Sequence, residues 1–301
     1  MKTEGTSTAS GRVAILIPAY NEARSIGSVV ALCKKYGRVV VIDDGSEDGT
    51  AEIAHLSGAE VVRRGKNGGY GAAIKSALGA AKNMDSDVFV FIDADMQHDP
   101  REIPRLVAPI FEGKADVVVG SRFLGKAVGA PAHRIMGVKA LNSLTGAQVG
   151  SDALDYQCGF RAFSKRAIGK LSVSEDGYSA CSELVACAVG QKFRIVEVPV
   201  TIHYFEDVKR AGAVEQGMGI ASSAISAIVK RKPLVFFSGA GMILMLASAA
   251  IGFFVVETFY TTHVLAIGSA FLTVFFGIAG LILLQIGINL YTLDAVIRNR
   301  K

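Results

Sequence analysis

Two clusters of aspartates, about fifty residues apart, are the residues in this chain best suited to chemistry. Asp43 and Asp44 follow one run of β-branched and apolar residues, and Asp93 and Asp95 follow another. Such runs are typical of buried strands in a parallel sheet, and open α/β folds bind ligands just beyond the carboxyl ends of those strands. Two carboxylates separated by one residue are hard oxygen ligands that suit Mg²⁺ or Mn²⁺ carrying a diphosphate. One cluster alone could be a turn or a helix cap, but two clusters in the same strand–acid–turn order favour a binding site.

Alternating strands and helices are predicted to position these clusters. The alternation indicates an α/β fold, with a mostly parallel sheet covered by helices. The predicted strands are residues 13–17, 39–42, 59–62, 88–92, 117–119 and 193–202, and the predicted helices are residues 25–36, 49–57, 71–81, 100–111 and 183–189. After residue 122 the pattern loosens, and residues 125–150 are predicted to form a mobile loop and a helix over the site.

Two stretches in the last quarter of the chain, residues 234–256 and 264–293, contain no charged residue. Each is long enough to cross a hydrocarbon core of roughly 30 Å as a helix, and soluble helices of this length seldom lack charge on every face. Lys and Arg flank the outer ends of the two stretches, whereas the predicted connecting loop, residues 257–263, has neither. The positive-inside rule then predicts a multi-pass membrane protein with two spans, whose N-terminal domain and C-terminus are cytoplasmic.

The sequence therefore predicts four segments. They are a disordered tail (1–11), an α/β domain (12–205), a linker (206–232) and a two-helix transmembrane anchor (233–301). The apolar spacing in the linker fits either a helix in the membrane interface or an ordinary helix packed on the domain. The net charge of +5 is modest and basic residues cluster beside the spans, where anionic lipid attracts them, so no nucleic-acid partner is predicted.

Five short motifs occur in order between residues 13 and 204. They are Pro18-Ala19-Tyr20-Asn21-Glu22, Asp43-Asp44-Gly45-Ser46, Asp93-Ala94-Asp95-Met96-Gln97, Gly120-Ser121-Arg122 and Gly159-Phe160-Arg161-Ala162-Phe163. Together they resemble glycosyltransferase family 2 and, within it, the dolichyl- and polyprenyl-phosphate sugar synthases of the dolichol-phosphate mannose synthase type.

This resemblance implies a GT-A fold, a GDP- or UDP-linked nucleotide-sugar donor, Mg²⁺ or Mn²⁺ as cofactor, and inverting displacement. Asp95 and Arg122 are the predicted catalytic residues. The residues implied for the nucleotide sugar are Pro18, Tyr20, Glu22, Ile42, Asp44, Asp93, Ala94 and Asp95, and those implied for the metal are Asp93, Asp95 and Gln97. The chemistry agrees, because a divalent cation stabilises the negative charge that develops on a departing nucleoside diphosphate.

Basic side chains are the candidates for binding the acceptor phosphate. Arg122 follows a strand and a Gly-Ser turn, and a guanidinium binds phosphate through two parallel hydrogen bonds. Arg134 is a second candidate, although a plain surface arginine is the commoner case. The family often carries an arginine where this chain has Phe205, and Lys209 and Arg210 are predicted to take its place.

A polyprenyl phosphate needs orienting cations more than it needs a general base. Its second pKa is roughly 6, so it is already an anion at neutral pH. If a base takes part, Asp95, Asp152 and Asp155 are the candidates.

The sequence as a whole predicts a membrane-anchored enzyme that moves a hexose from a nucleotide sugar to a polyprenyl or dolichyl phosphate. One alternative is a glycosyltransferase acting on another lipid or on a polysaccharide. The chain has no tryptophan and so lacks the Gln-x-x-Arg-Trp motif of processive synthases, which counts against a polysaccharide acceptor. The other alternative is a catalytically silent membrane scaffold, which the intact cluster at Asp93, Asp95 and Gln97 disfavours. Oligomeric state and the identity of the sugar are not predicted.

Overall fold

The computed structural model describes residues 12–149, 155–174, 180–204 and 233–298. The predicted tail and linker lie outside the described residues, as do Asp152, Phe205, Lys209 and Arg210. The chain divides into two compact units, Met1–Ser222 and Ser223–Lys301.

A seven-stranded sheet forms the centre of the first unit. Its strands are β1 (Val13–Ala19), β2 (Arg38–Asp43), β3 (Glu60–Arg63), β4 (Val88–Phe91), β5 (Val117–Val128), β6 (Arg161–Ser164) and β7 (Ile195–His203). The spatial order is β3-β2-β1-β4-β6-β5-β7, and every neighbouring pair is parallel except the two that involve β6. The predicted mostly parallel sheet is confirmed.

The helices of this unit alternate with its strands along the chain. They are α1 (Ile26–Cys33), α2 (Thr50–Leu56), α3 (Tyr70–Lys82), α4 (Ile103–Phe111), α5 (Ala132–Val149), α6 (Lys165–Lys170) and α7 (Ala180–Gly190), with a 3₁₀ turn at Pro100–Glu102. All four residues of β4 are buried, although their side chains alternate between the two faces of the sheet. Both faces of the central strand are therefore covered, and the core extends across it.

The sequence prediction missed two features of the sheet. β5 continues to Val128 instead of ending at residue 119, because it pairs with β7 again after an irregularity between Ser121 and Lys126. β6, which was not predicted as a strand, lies antiparallel between β4 and β5. Its first residue, Arg161, is buried and donates hydrogen bonds to the carbonyls of Tyr156 and Cys181. A buried arginine interrupts the apolar pattern by which strands are recognised.

The second unit is a hairpin of two long helices, α8 (Pro233–Thr262) and α9 (Ile267–Arg298). By length and composition both are able to cross a membrane, over Leu234–Thr262 and Ile267–Thr292. Only 11% and 6% of their most apolar windows are buried, so the apolar side chains face outward, which is unlike the core helix of a soluble protein. The connection comprises residues 263–266 and not the predicted 257–263, because α8 continues to Thr262.

Small residues allow the two hairpin helices to approach closely. A Cβ added to Gly280 would lie 2.8 Å from the carbonyl oxygen of Gly241, and one added to Gly241 would lie 2.7 Å from that of Gly280. Nearby, the Ser248 hydroxyl donates to the carbonyl of Thr273 at 2.7 Å. Close backbone approach between small residues is a common way for helices to associate in a bilayer.

We expect Gly280→Leu to destabilise the hairpin, because the new side chain would collide with the backbone of α8. Overpacking of this kind typically costs about 1–3 kcal/mol. Gly239→Leu is a matched control in α8, since a Cβ at Gly239 meets no atom within 4 Å. Thermal unfolding of both variants in detergent measures the difference. Equal midpoints for the two variants would contradict a tight contact at Gly280.

Candidate active site

The parallel pairing of β1 and β2 brings the first two predicted motifs together. Pro18 lies opposite Ile42 in the register, so the loops after the two strands begin side by side. The Asn21 N–H donates to the Ser46 hydroxyl at 2.9 Å, and the Asn21 side-chain oxygen accepts the Glu47 N–H at 3.0 Å. The two loops thus form one edge, here called the β1–β2 rim (residues 20–23 and 44–48), at the carboxyl end of the sheet.

The predicted nucleoside-binding residues differ in how exposed their side chains are. Tyr20 is 42% exposed, which leaves its ring accessible for stacking on a base. Glu22 is partly buried, and its carboxylate accepts the Ser25 hydroxyl at 2.9 Å. The side chains of Pro18 and Ile42 are buried, so they shape the wall behind the rim.

Asp44 is held by residues that the sequence analysis did not select. Its buried carboxylate pairs with the guanidinium of Arg64 and accepts the backbone N–H of Gly68 at 3.2 Å. The adjacent Asp43 is also buried, with one carboxylate oxygen 3.2 Å from Nε of Arg63. The two arginines reach the aspartates because β3 pairs with β2. Local sequence patterns do not predict which strands pair.

A cavity of about 420 Å³ lies beside this rim. It is lined by the loop after β2 and by the end of β3, through Gly45, Ser46, Glu47, Arg63, Arg64 and Gly65. Its volume is in the range of small-molecule sites. It adjoins the first acidic cluster and not Asp93 or Asp95, the two residues here called the acidic pair.

The acidic pair follows β4, and two residues missed from the sequence contact its first member. The Tyr70 hydroxyl donates to Oδ1 of Asp93 at 3.2 Å, and Nε2 of the buried His98 lies 3.5 Å from Oδ2. Gly159 passes so close that an added Cβ would lie 2.7 Å from Cγ of Asp93. A larger residue at position 159 would therefore displace the Asp93 carboxylate.

The two members of the acidic pair titrate differently. Burial, followed by the negative charge of Asp93, raises the pKa of Asp95 to about 6. Burial also opposes ionisation of Asp93, but hydrogen bonding and charge from His98 outweigh it and bring the pKa of Asp93 below its ordinary value. Asp95 further accepts the Gln97 N–H at 3.0 Å. Ala94, between the two aspartates in the chain, is buried.

These side chains fit a divalent cation that is shared with a ligand. Asp93 and Asp95 supply carboxylate oxygens and Gln97 supplies a neutral amide oxygen, which are the hard ligands that Mg²⁺ and Mn²⁺ prefer. Within the described ranges, no group of three or more His, Cys, Asp or Glu side chains could hold a metal by itself. The remaining ligands would come from diphosphate oxygens and water, as is usual for Mg²⁺.

Arg122 is a buried cation that already has partners. Its Nε donates to Oδ2 of Asp155 at 2.6 Å, and its Nη1 donates to the Tyr204 hydroxyl at 2.8 Å. The side chains of Arg122 and Asp155 are 9% and 0% exposed. Burial lowers the pKa of Arg122, but the Asp155 carboxylate outweighs it and raises that pKa. Arg122 is therefore a fixed charge with a set orientation.

The other predicted acceptor residues are not brought to Arg122 by anything that the structure describes. Arg134 lies in the first turn of α5, where the backbone alone is described. Lys209 and Arg210 lie outside the described residues.

The end of β7 connects the acidic pair to Arg122. The His203 N–H donates to the Gln97 carbonyl at 2.8 Å, and Ile202 forms a bridge with His98. The next residue, Tyr204, accepts from Arg122. The end of β7 therefore contacts both Gln97, which follows the acidic pair, and Arg122.

We expect Mn²⁺ to raise the thermal stability of the protein at about pH 7.5 and to do so far less at about pH 5. The ordinary pKa of an aspartate is 3.8, whereas the pKa of Asp95 in the folded protein is about 6. Protonation of Asp95 therefore stabilises the folded state, and this contribution is complete below about pH 4. That contribution is lost as the pH rises through 6, because Asp95 ionises. Bound Mn²⁺ then compensates the negative charge of Asp95. Unfolding midpoints with Mn²⁺ and with a chelator at both pH values measure the effect.

Asp95→Asn is the control for this experiment, because its side chain carries no charge at either pH. Without metal at about pH 7.5 it should be more stable than the wild type, and Mn²⁺ should stabilise it less. An identical Mn²⁺ shift at the two pH values in the wild-type protein would contradict the assignment to Asp95.

The β1–β2 rim, the acidic pair and the buried Arg122 lie on a mostly parallel sheet, an arrangement that fits a glycosyltransferase. The chain belongs to glycosyl transferase family 2, whose family model matches residues 14–172, more than half of its length. The predicted family and enzyme class are confirmed.

Relatives in the same family act on lipid phosphates, according to their names. UDP-N-acetylglucosamine–dolichyl-phosphate N-acetylglucosaminyltransferase of Methanococcus voltae is 31% identical over 64% of this chain and 86% of its own length. Dolichol-phosphate mannosyltransferase of Pyrococcus furiosus is 33% identical over 63% of this chain and 56% of its own length. Polyprenol monophosphomannose synthase of Mycolicibacterium smegmatis is 31% identical over 63% of this chain and 77% of its own.

Solved structures confirm the predicted GT-A fold. Glucosyl-3-phosphoglycerate synthase of Mycobacterium tuberculosis, in complex with phosphoglyceric acid, superposes with a TM-score of 0.60 at 22% identity. The match covers 72% of this chain and 80% of that enzyme. At this identity the likeness concerns the fold alone.

Proposed function

We propose that this enzyme transfers a hexose from a GDP- or UDP-linked sugar to a polyprenyl or dolichyl phosphate at a membrane. The observation that carries the proposal is the end of β7, where His203 contacts Gln97, two residues after Asp95, and Tyr204 contacts the buried Arg122. A donor diphosphate and an acceptor phosphate require neighbouring sites of this kind. The lipid-phosphate acceptors in the names of three relatives support the acceptor class.

The donor would bind along the β1–β2 rim and reach the acidic pair. Tyr20 would stack on the base, and Asp44, preorganised by Arg64 and Gly68, would accept hydrogen bonds from the nucleoside. Asp93, Asp95 and Gln97 would hold the diphosphate through Mg²⁺ or Mn²⁺, as relatives of the same fold crystallised with either ion suggest. When bound, that cation neutralises the charge developing on the leaving diphosphate.

The acceptor phosphate would be oriented by Arg122 and would need no general base. One phosphate oxygen bonds to the anomeric carbon of the sugar while the bond from that carbon to the nucleoside diphosphate breaks, and the electron pair leaves with the diphosphate. A phosphate with a second pKa of roughly 6 is already ionised at neutral pH, so no proton moves. Asp155, fully buried and bound to Arg122, orients that arginine and does not face the acceptor.

The membrane arrangement completes the proposal. Residues 12–205 would be the catalytic domain, residues 206–232 a linker and residues 233–301 the anchor. Basic residues at both ends of the hairpin support a cytoplasmic catalytic domain and C-terminus. Arg134, Lys209 and Arg210 would add cations for the acceptor headgroup.

The test is a transfer assay with the purified full-length protein in detergent, Mn²⁺, polyprenyl phosphate and a panel of radiolabelled GDP- and UDP-sugars. We expect one donor to give a labelled, lipid-extractable product. Unphosphorylated polyprenol is the matched acceptor control and should give none. Transfer to polyprenol as efficient as to its phosphate, or no lipid product with any donor, would overturn the proposal.

A further inference from the structure

The short segment of residues 64–70, which runs from the end of β3 to the first residue of α3, contacts both acidic clusters. At its start, Arg64 pairs with the Asp44 carboxylate, and the Gly68 N–H donates to the same group at 3.2 Å. At its end, the Tyr70 hydroxyl donates to Oδ1 of Asp93 at 3.2 Å. One segment therefore touches the carboxylate proposed for the nucleoside and a carboxylate proposed for the metal.

The Tyr70 hydroxyl is itself held in place. The thiol of Cys181, a buried residue of α7, lies 3.5 Å from it at hydrogen-bond distance. The backbone carbonyl of Cys181 in turn accepts from the buried Arg161. Tyr70 begins α3, so its ring is fixed by the helix on one side and by α7 on the other.

We infer that Tyr70 is a positioning residue that orients the Asp93 carboxylate for divalent-metal binding. The inference rests on the proposed metal role of Asp93 and extends it to a residue outside the five sequence motifs. It assigns Tyr70 no contact with the sugar, the nucleotide or the acceptor.

The physical reason is the limited number of ways in which a carboxylate can face a cation. A carboxylate has roughly four lone-pair sites, so accepting one hydrogen bond from Tyr70 leaves sites for a metal while fixing the plane of the group. Removal of a group that hydrogen-bonds to a metal ligand typically lowers metal affinity or activity about 10- to 100-fold. His98 approaches the other oxygen of Asp93 at 3.5 Å, so the carboxylate is held from both sides.

Tyr70→Phe tests the inference, because it removes the hydroxyl and keeps the ring. The first measurement is Mn²⁺ binding to the full-length protein in detergent, followed by the electron paramagnetic resonance signal of free Mn²⁺. We expect the affinity to fall about 10- to 100-fold. Binding of UDP and GDP in the presence of a chelator should change less than about twofold, because the Asp44 end of the segment is intact. Tyr36→Phe is the control, since Tyr36 packs on the core just before β2, at the opposite end of the sheet.

The outcomes separate this inference from the proposed function. Wild-type Mn²⁺ affinity in Tyr70→Phe would overturn the positioning role and leave the metal site standing. Absence of Mn²⁺ binding to the wild-type protein, alone and with UDP or GDP, would overturn both. A loss of Mn²⁺ affinity in Tyr36→Phe equal to that in Tyr70→Phe would also overturn the inference, because the effect would then be a general response to losing a tyrosine hydroxyl.

Discussion

Asp95→Ala is expected to lower the transfer rate about 10²- to 10³-fold at saturating donor while leaving the protein folded. Loss of a metal ligand removes several kcal/mol of leaving-group stabilisation, and each 1.36 kcal/mol is about a factor of ten in rate. Folding should survive, because burial and the charge of Asp93 already oppose ionisation of Asp95. Asp93→Ala should lose activity for the same reason. The measurement is the initial transfer rate across a Mn²⁺ titration.

Asp85→Ala is the matched control for the loss of an aspartate. Asp85 precedes β4, so it lies at the end of that strand opposite the acidic pair, where it is exposed and pairs with Arg12 and Lys165. Exposed pairs of this kind contribute little, so this variant should keep wild-type rates. Full activity of Asp95→Ala at low Mn²⁺ would contradict a metal role for Asp95.

Asp155→Leu is expected to destabilise the protein by about 3–5 kcal/mol. It leaves the buried guanidinium of Arg122 without its carboxylate partner, and an unpaired buried charge is among the costliest defects in a fold. Denaturant unfolding, followed by a probe of the sheet domain, measures the loss.

The double variant Arg122→Met/Asp155→Leu discriminates between a lost charge partner and lost packing. Replacing a buried ion pair by apolar side chains of similar volume is often neutral, so the double variant should regain most of the stability. It should remain unable to use polyprenyl phosphate, because the proposed phosphate-orienting cation is gone. A double variant as unstable as Asp155→Leu would mean that the lost charge partner is not the cause.

The sequence was most informative where buried strands are short, apolar and parallel. β1, β2 and β4 were placed within two residues of their ends, because their continuous apolar runs stop at polar turns. β5 was truncated because Gly120 and Ser121 resemble a turn, although its pairing with β7 resumes beyond them. That continuation depends on a partner strand more than seventy residues away, which local patterns do not report.

The site residues that could be predicted were likewise those recognisable from their neighbours in the sequence. The acidic pair and Asp44 were recognised because each follows a strand, and Arg122 because it follows a Gly-Ser turn. Arg64, Tyr70 and His98 were not selected, since their roles arise from side chains meeting across the fold. Gly68, likewise not selected, donates its backbone N–H to the Asp44 carboxylate.

Tyr204 has a further consequence for the orientation of Arg122. It is the last described residue before the chain continues toward the helical hairpin, and it is fastened to Arg122 by its hydroxyl and to the Val128 carbonyl by its N–H at 2.9 Å. A substitution that shifts Tyr204 would therefore act on Arg122 directly, since the two side chains share a hydrogen bond.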